Sequence, residues 1–528
     1  MTFTKKTQFM NKKKNLTKRL KTLFTLFILF ATVNLKAQDI KFNVKGLKDT
    51  TIYMAKYYGK KMYYADTAVS KNGILKYDAS KHPSGVYAII LPGQKYFEFI
   101  IDNEKIDMSV ADTDNLIEGM VVNKSKNNKV FYEYINFMSK SKKQINELNK
   151  KWSGEKDEPK KEALKKEIET LNQTVIDYQK EVAKNNANLF VGKMIKMSLD
   201  IDLPAAPRDE NGVITDSFYV YRYNIEHYWD NVDLKDDNMI RTPIFHNKLE
   251  KYFSNQVMIQ IPDSVVSYAD RLIAKTQDST EIFKYIVHFV TNKYERSELM
   301  GMDKIFVHMA DTYYCPPSKT RAFWMSDENL TKICDRANKL RPLLIGAYAP
   351  RLILPDTTEK NWIDIYKIQA EYKVLYFWDP NCGHCKKSTP KLQKLFEEKL
   401  KDRGVAVIGI AKATGDDFDA WKNFISTHNL NFINMGLTKN VFNQAQADAR
   451  TLIPRYTNIE SLNYTNTYDI YSTPRIFLLD KNNKIIYKQI SIAQLEEILD
   501  KLQGQENAPK LFSVEEEKEK MKKLEQQH

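Results

Sequence analysis

Phe377-Trp378-Asp379-Pro380-Asn381-Cys382-Gly383-His384-Cys385 decides how the C-terminal part of the chain is read. Before the cysteines, Tyr372–Trp378 is an apolar, aromatic run of strand length. After them, Leu392, Leu395, Phe396 and Leu400 recur at helical spacing. The two cysteines therefore lie where a buried strand turns into a helix. The first turn of a helix carries unpaired N–H groups and the positive end of the dipole. Both favour a thiolate over a thiol, so Cys382 is expected to have a lowered pKa and to be the nucleophile. Cys385, one turn further in, is placed to close a disulfide with it and release a bound partner. Between them, beside Gly383, a partly positive imidazole at His384 would stabilise the ionised, reduced form and raise the reduction potential.

A C-x-x-C spacing also occurs in zinc sites and in structural thiols or bridges. Zinc takes four ligands. The only other cysteines, Cys315 and Cys334, have no paired spacing. The strand-to-helix context favours redox chemistry over these alternatives.

From about Leu340 to Leu502 the chain resembles the thioredoxin superfamily, in particular its secreted TlpA/ResA-like group. Ile345-Gly346-Ala347-Tyr348-Ala349-Pro350-Arg351-Leu352 is similar to the group's G-x-x-A-P-x-L lead-in. Phe377-Trp378 precedes Cys382 at the family distance, and Pro390 falls where the family's active-site helix is kinked. Thr473-Pro474, followed by Ile476–Asp480 and Lys481–Lys484, resembles the family's cis-proline and the hairpin after it. The resemblance implies that Pro474 faces the cysteines through a cis bond and that Thr473 offers backbone groups to an extended substrate segment. There are departures. Tyr376 stands where thioredoxin and the protein disulfide isomerases carry a buried carboxylate as proton acceptor, and Asn381 stands where a tryptophan is usual. Gly383-His384 matches the isomerases, whereas the surroundings match the bacterial envelope group. A shift from a thioredoxin-like to an isomerase-like potential is about 90 mV, or about 4 kcal/mol for two electrons.

The 528 residues and 42% hydrophobic content suit several domains with ordinary cores. The net charge of +14 is misleading. Nine basic residues (Lys5, Lys6, Lys12, Lys13, Lys14, Lys18, Arg19, Lys21 and Lys36) and no acidic ones lie in the first 37 positions. The remainder carries 72 basic and 67 acidic residues, which is a solubility-level charge and no argument for nucleic acid. The basic stretch leads into the apolar run Leu23–Val33, and Leu35-Lys36-Ala37 offers a cleavage site before Gln38. That is the pattern of a secretory signal, with Met10 a candidate start. The run is short for a membrane span, so no stable insertion is expected after cleavage.

Between Asp39 and about Lys124, Ile40, Phe42 and Val44 alternate with polar positions, as do Phe97, Phe99 and Ile101. Asn72-Gly73 is a hairpin signal. A small β-sandwich is expected, resembling an uncharacterised β domain found ahead of TlpA-like modules. Tyr57, Tyr58, Tyr63 and Tyr64 are candidates for ligand contact or for covering a sheet face. From Lys129 to Lys339 the pattern is helical. Leu164, Ile168, Leu171, Val175, Tyr178 and Val182 form a heptad seam, with a second one upstream, so an antiparallel helical hairpin is expected. This region resembles another uncharacterised family. His227, His246, His288 and His308 lack metal-ligand spacing. Cys315 and Cys334 suit equally a bridge and two free thiols.

The expected fold is multidomain: signal 1–37, β-sandwich 38–125, all-α domain 126–339, C-terminal α/β thioredoxin-like domain 340–503 with a substrate-facing loop at Asn440–Asn466, and charged tail 504–528. The expected function is a periplasmic thiol–disulfide oxidoreductase. Catalysis falls to Cys382 and Cys385, tuning of the potential to Gly383 and His384, and substrate binding to Thr473 and Pro474. No cofactor or metal is called for, since the dithiol carries the electrons. Expected partners are cysteine-containing exported proteins and an upstream membrane redox partner. Two rivals are a thiol peroxidase of the AhpC/TSA type and a non-catalytic envelope scaffold. The peroxidase chemistry usually needs a threonine three residues before the reactive cysteine, where Asp379 stands.

Overall fold

The computed structural model describes residues 39–415 and 417–515. The expected signal at 1–37 and residues 516–528 of the expected tail lie outside the described residues. By internal contacts the chain divides into two compact units, Met1–Tyr252 and Phe253–His528, a break inside the helical region.

In the first unit the alternating segments become β1 (Asp39–Val44), β2 (Thr51–Tyr58), β3 (Lys61–Val69), β4 (Ile74–Asp78), β5 (Gly85–Ile90), β6 (Tyr96–Ile101), β7 (Ile106–Val110) and β8 (Met120–Lys124). They form two four-stranded sheets, ordered β4-β1-β7-β8 and β3-β2-β5-β6. Phe42 of one sheet meets Phe97 and Phe99 of the other edge-on, at 5.2 and 4.9 Å between ring centroids, so the alternation builds one shared core. Asn72 and Gly73 both take positive φ, 50° and 78°, as a two-residue hairpin turn demands. A Cβ at position 73 would lie 2.5 Å from the Val44 carbonyl oxygen, so only glycine fits. Tyr63 and Tyr64 are exposed, while the Tyr57 hydroxyl donates to Glu98 at 2.6 Å.

The two heptad seams form the helices Lys126–Gly154 and Glu158–Asn185, capped by the side chains of Ser125 and Asp157. Phe137 and Tyr178 meet across them with ring centroids 3.9 Å apart. The seams therefore pair within one chain as an antiparallel hairpin.

The second unit opens with helices Pro262–Ala274, Glu281–Glu295, Asp303–Met309 and Asp327–Leu340. Cys315 and Cys334, left open by the sequence, are bridged, with Cα atoms 5.9 Å apart. The bridge closes a loop spanning a sequence separation of 19. Replacing both cysteines by alanine is expected to cost about 3 kcal/mol of stability, read as a lower urea midpoint.

The thioredoxin-like module contains β9 (Ile353–Pro355), β10 (Trp362–Asp364), β11 (Tyr372–Trp378), β12 (Val405–Ala413), β13 (Ile433–Thr438), β14 (Arg475–Asp480) and β15 (Ile485–Lys488). The main sheet runs β13-β12-β11-β14-β15. β11, β12 and β13 are parallel, and β14 and β15 run antiparallel. Both faces are covered, which is why β11 reads as an apolar run interrupted only by Lys373, whose buried Nζ donates to Ile365 O at 3.0 Å and Asn483 Oδ1 at 2.6 Å. Val374, Tyr376 and Trp378 face the core holding the helices Gly383–Leu395, Asp417–His428 and Ile492–Leu502. Leu375 and Phe377 face the opposite core.

One expectation changes here. Asn440–Asn466 is not an open substrate loop. Lys439–Asp448 is a helix capped by Thr438, and short helical turns follow at Ile459–Leu462 and Tyr464–Thr467. Val441, Leu452 and Tyr464 are buried in the second core, which supplies the apolar driving force the local pattern hides. Within the charged tail at 504–528, Leu511 and Phe512 pack on the first core, and their backbone N–H groups donate to Glu496. Glu496 and Asp500 lie almost fully buried, and Lys399 donates to them at 2.7 and 2.9 Å. Lys399→Met should destabilise the protein by about 1–3 kcal/mol in urea unfolding, because buried Glu496 loses its bond to the Lys399 cation, while Asp500 keeps Arg403 and Lys510.

Candidate active site

The sheet register fixes the site. Phe377 pairs with Arg475 across the antiparallel β11–β14 ladder. Continuing that register brings Thr473-Pro474 alongside the chain as it leaves β11 toward the cysteines. The Thr473–Pro474 bond is cis. The Cys382 thiol donates to the Thr473 carbonyl oxygen at 3.3 Å.

Cys382 is the N-cap residue of the helix Gly383–Leu395, with an extended backbone (φ −70°, ψ 125°). Its sulfur therefore faces the unpaired N–H groups of the first turn. Partial burial acts to raise its pKa. The backbone N–H of Cys385, the side chains of Thr473 and Cys385, and the backbone N–H of His384 act against burial and prevail, holding the thiol below its ordinary range. His384 thus contributes to this lowering through its backbone N–H, in addition to any effect of its side chain. Gly383 is exposed, and a Cβ there would meet nothing within 4 Å, so no steric demand explains it.

Cys385 is fully buried, and its sulfur accepts the Asp379 N–H at 3.5 Å. Burial, with the neighbouring Cys382 adding to it, pushes its thiol up to about 12. Both cysteines are free thiols. One sulfur is thus accessible and easily ionised, and its neighbour is sequestered and protonated.

Tyr376 is fully buried, and its hydroxyl shares a hydrogen bond with Thr389 Oγ1 at 2.9 Å. Thr389 lies four residues beyond Cys385 on the same helix, so a pair of hydroxyls occupies the position where the family carboxylate stands. Burial raises the Tyr376 pKa, so it enters the site neutral.

Sequence reasoning missed the groups that shape the approach to Cys382. Asn381 donates its N–H to Asp379 Oδ1 and its side-chain amide to Asp417 Oδ1, both at 2.7 Å. Lys412 Nζ lies 3.6 Å from Asp379 and 3.5 Å from Asp417. The available signal was the parallel register: Trp378 pairs with Ala411, so Lys412 emerges at the same carboxyl edge of the sheet as the cysteines.

Residues 345–488 match the AhpC/TSA family, 157–341 a domain of unknown function (DUF5106) and 39–131 another (DUF4369). The thiol-disulfide oxidoreductase ResA of Bacillus cereus is 28% identical over 162 residues, covering 30% of this chain and 78% of that protein. A domain of a possible thiol-disulfide isomerase from Cytophaga hutchinsonii is 32% identical, covering 31% of this chain and 95% of that one, with a TM-score of 0.25. A thioredoxin-like protein from Bacteroides caccae is 16% identical, covering 57% and 98%, with a TM-score of 0.32.

Proposed function

We propose, for a chain whose C-terminal module belongs to the TlpA/ResA-like group of thioredoxin-superfamily thiol–disulfide oxidoreductases, that Cys382 and Cys385 exchange disulfides with cysteine-bearing exported proteins. The observation that carries this reading is the asymmetry of the two sulfurs: Cys382 at the helix mouth, hydrogen-bonded to Thr473, and Cys385 buried behind it.

In the reducing direction the Cys382 thiolate attacks one sulfur of a substrate disulfide. That S–S bond breaks, a mixed disulfide forms, and the departing substrate thiolate takes up a proton. Cys385 then loses its proton and attacks Cys382 Sγ. The Cys382–Cys385 disulfide forms, and the second substrate thiolate leaves. Two electrons have passed to the substrate, and a membrane dithiol partner would restore the reduced pair. In the oxidising direction the same steps run backwards.

The basic, apolar N-terminal sequence supports export, and with it an activity in the periplasm or on the outer face of the envelope. The β and helical segments act as spacing or recognition domains, with the divisions 38–125, 126–339 and 340–503.

Reduction of insulin by the purified protein tests the function. Wild-type turnover with none from Cys382→Ala supports it; equal rates for the two favour the scaffold. The potential of the Cys382/Cys385 couple gives the direction. A value of about −120 to −180 mV indicates oxidation or isomerisation, and one of about −270 mV indicates reduction.

A further inference from the structure

We propose that the helix Asp327–Leu340, which precedes the thioredoxin-like module, supplies part of its substrate site: Arg336 positions Tyr471, and Tyr471 grips a polypeptide beside its reacting cysteine. This rests on the exchange reading given above.

Tyr471 lies two residues before Thr473, whose carbonyl receives the Cys382 thiol. It is 76% exposed, the most open of the large apolar side chains among the described residues. The ring is nonetheless held. The Arg336 guanidinium lies 5.6 Å from its centroid and donates to Asp469. Asp469 takes a left-handed φ of 56°, two residues before Tyr471. On the inner side Tyr468 is buried, with its hydroxyl on the Pro350 carbonyl oxygen. Beyond Tyr471, Arg475 donates to Ser472 Oγ at 3.0 Å. The segment 469–473 is therefore fixed at both ends and clamped in the middle.

The clamp itself is anchored. Ala337 and Leu340 of its helix are buried in a core with Phe306 and Ala310, and Cys334, two residues before Arg336, is bridged to Cys315. Holding an aromatic ring open to water costs ordering entropy and returns little stability. The arrangement makes sense as a pre-formed contact.

The geometry also selects the occupant. A mixed disulfide places the substrate sulfur at Cys382, with the substrate backbone extended along Thr473. At about 3.3 Å per residue, Tyr471 then faces the substrate residue about two positions from its cysteine. Asp469 neutralises Arg336, so the subsite offers an aromatic face rather than an anion site. An apolar side chain about two positions from the substrate cysteine fits it.

The test uses the full chain, with insulin as the polypeptide disulfide and hydroxyethyl disulfide as the small one. Tyr471→Ala should raise KM for insulin about tenfold, the size expected for truncating an interface aromatic, with kcat within about twofold. Its rate with hydroxyethyl disulfide should match wild type. Tyr471→Phe should behave as wild type, and Arg336→Ala should show the Tyr471→Ala pattern in weaker form. An insulin KM within about twofold of wild type for Tyr471→Ala overturns the proposal, and so does an equal loss on both substrates. If wild type reacts with neither disulfide, the exchange reading itself fails and takes this one with it.

Discussion

Replacing Cys382 by serine should bring disulfide exchange down to the uncatalysed rate, a loss on the order of 10³- to 10⁶-fold. The expectation follows from the inequality of the two sulfurs. The nucleophile in exchange is a thiolate. Cys382 has the hydrogen-bond donors of the first helical turn to stabilise one, and it is partly open to a visiting chain. Cys385 cannot replace it, because it is fully buried and its thiol is pushed up to about 12. Serine is nearly isosteric and Cys382 lies at a helix cap, so the fold should survive the change. Insulin reduction with a circular dichroism control measures the effect. Substantial activity in the serine variant would move the chemistry to another residue.

The second large effect is selectivity of alkylation. Iodoacetamide at neutral pH should modify Cys382 and leave Cys385 untouched. A thiol held at about 12 is ionised only to about one part in 10⁵ at pH 7. The sign of the pH dependence follows. Acidification protonates Cys382, so its rate falls as pH drops through its lowered pKa, below the point at which a free cysteine loses reactivity. Raising the pH toward 10 should still recruit little reaction at Cys385. Cys315 and Cys334 are bridged and should stay silent, which gives an internal control. Mass spectrometry of peptides after a short pulse reads all four sites. The same asymmetry favours the reduced state, because stabilising the thiolate raises the potential of the couple.

The strand, the helix and the cysteines at their junction were legible because each is written locally. Tyr372–Trp378 is apolar and aromatic apart from Lys373, Leu392 and Leu395 keep helical spacing, and Asn72-Gly73 names its own turn. What stayed hidden depends on register between distant segments. Lys412 and Asp417 approach Asp379 and Asn381 only because β11 and β12 run side by side. Arg336 meets Asp469 across 133 residues of sequence, beyond any pattern of spacing. The 440–466 segment looked like a loop because Val441, Leu452 and Tyr464 are too sparse to show a period, although each is buried. The Cys315–Cys334 bridge needed Cα atoms 5.9 Å apart, a distance that spacing alone does not give. At His384 side-chain identity hides a second contribution, since its backbone N–H also acts to lower the Cys382 pKa.

The division of labour between the two sulfurs is tested most directly by trapping. Cys385→Ser keeps the attacking sulfur and removes the one that releases the substrate. Mixed with a disulfide-bonded polypeptide, this variant should accumulate a covalent adduct through Cys382, lost on adding dithiothreitol, while Cys382→Ser forms none. An adduct carried by Cys385 in the Cys382→Ser protein, or no adduct in either variant, would contradict the account.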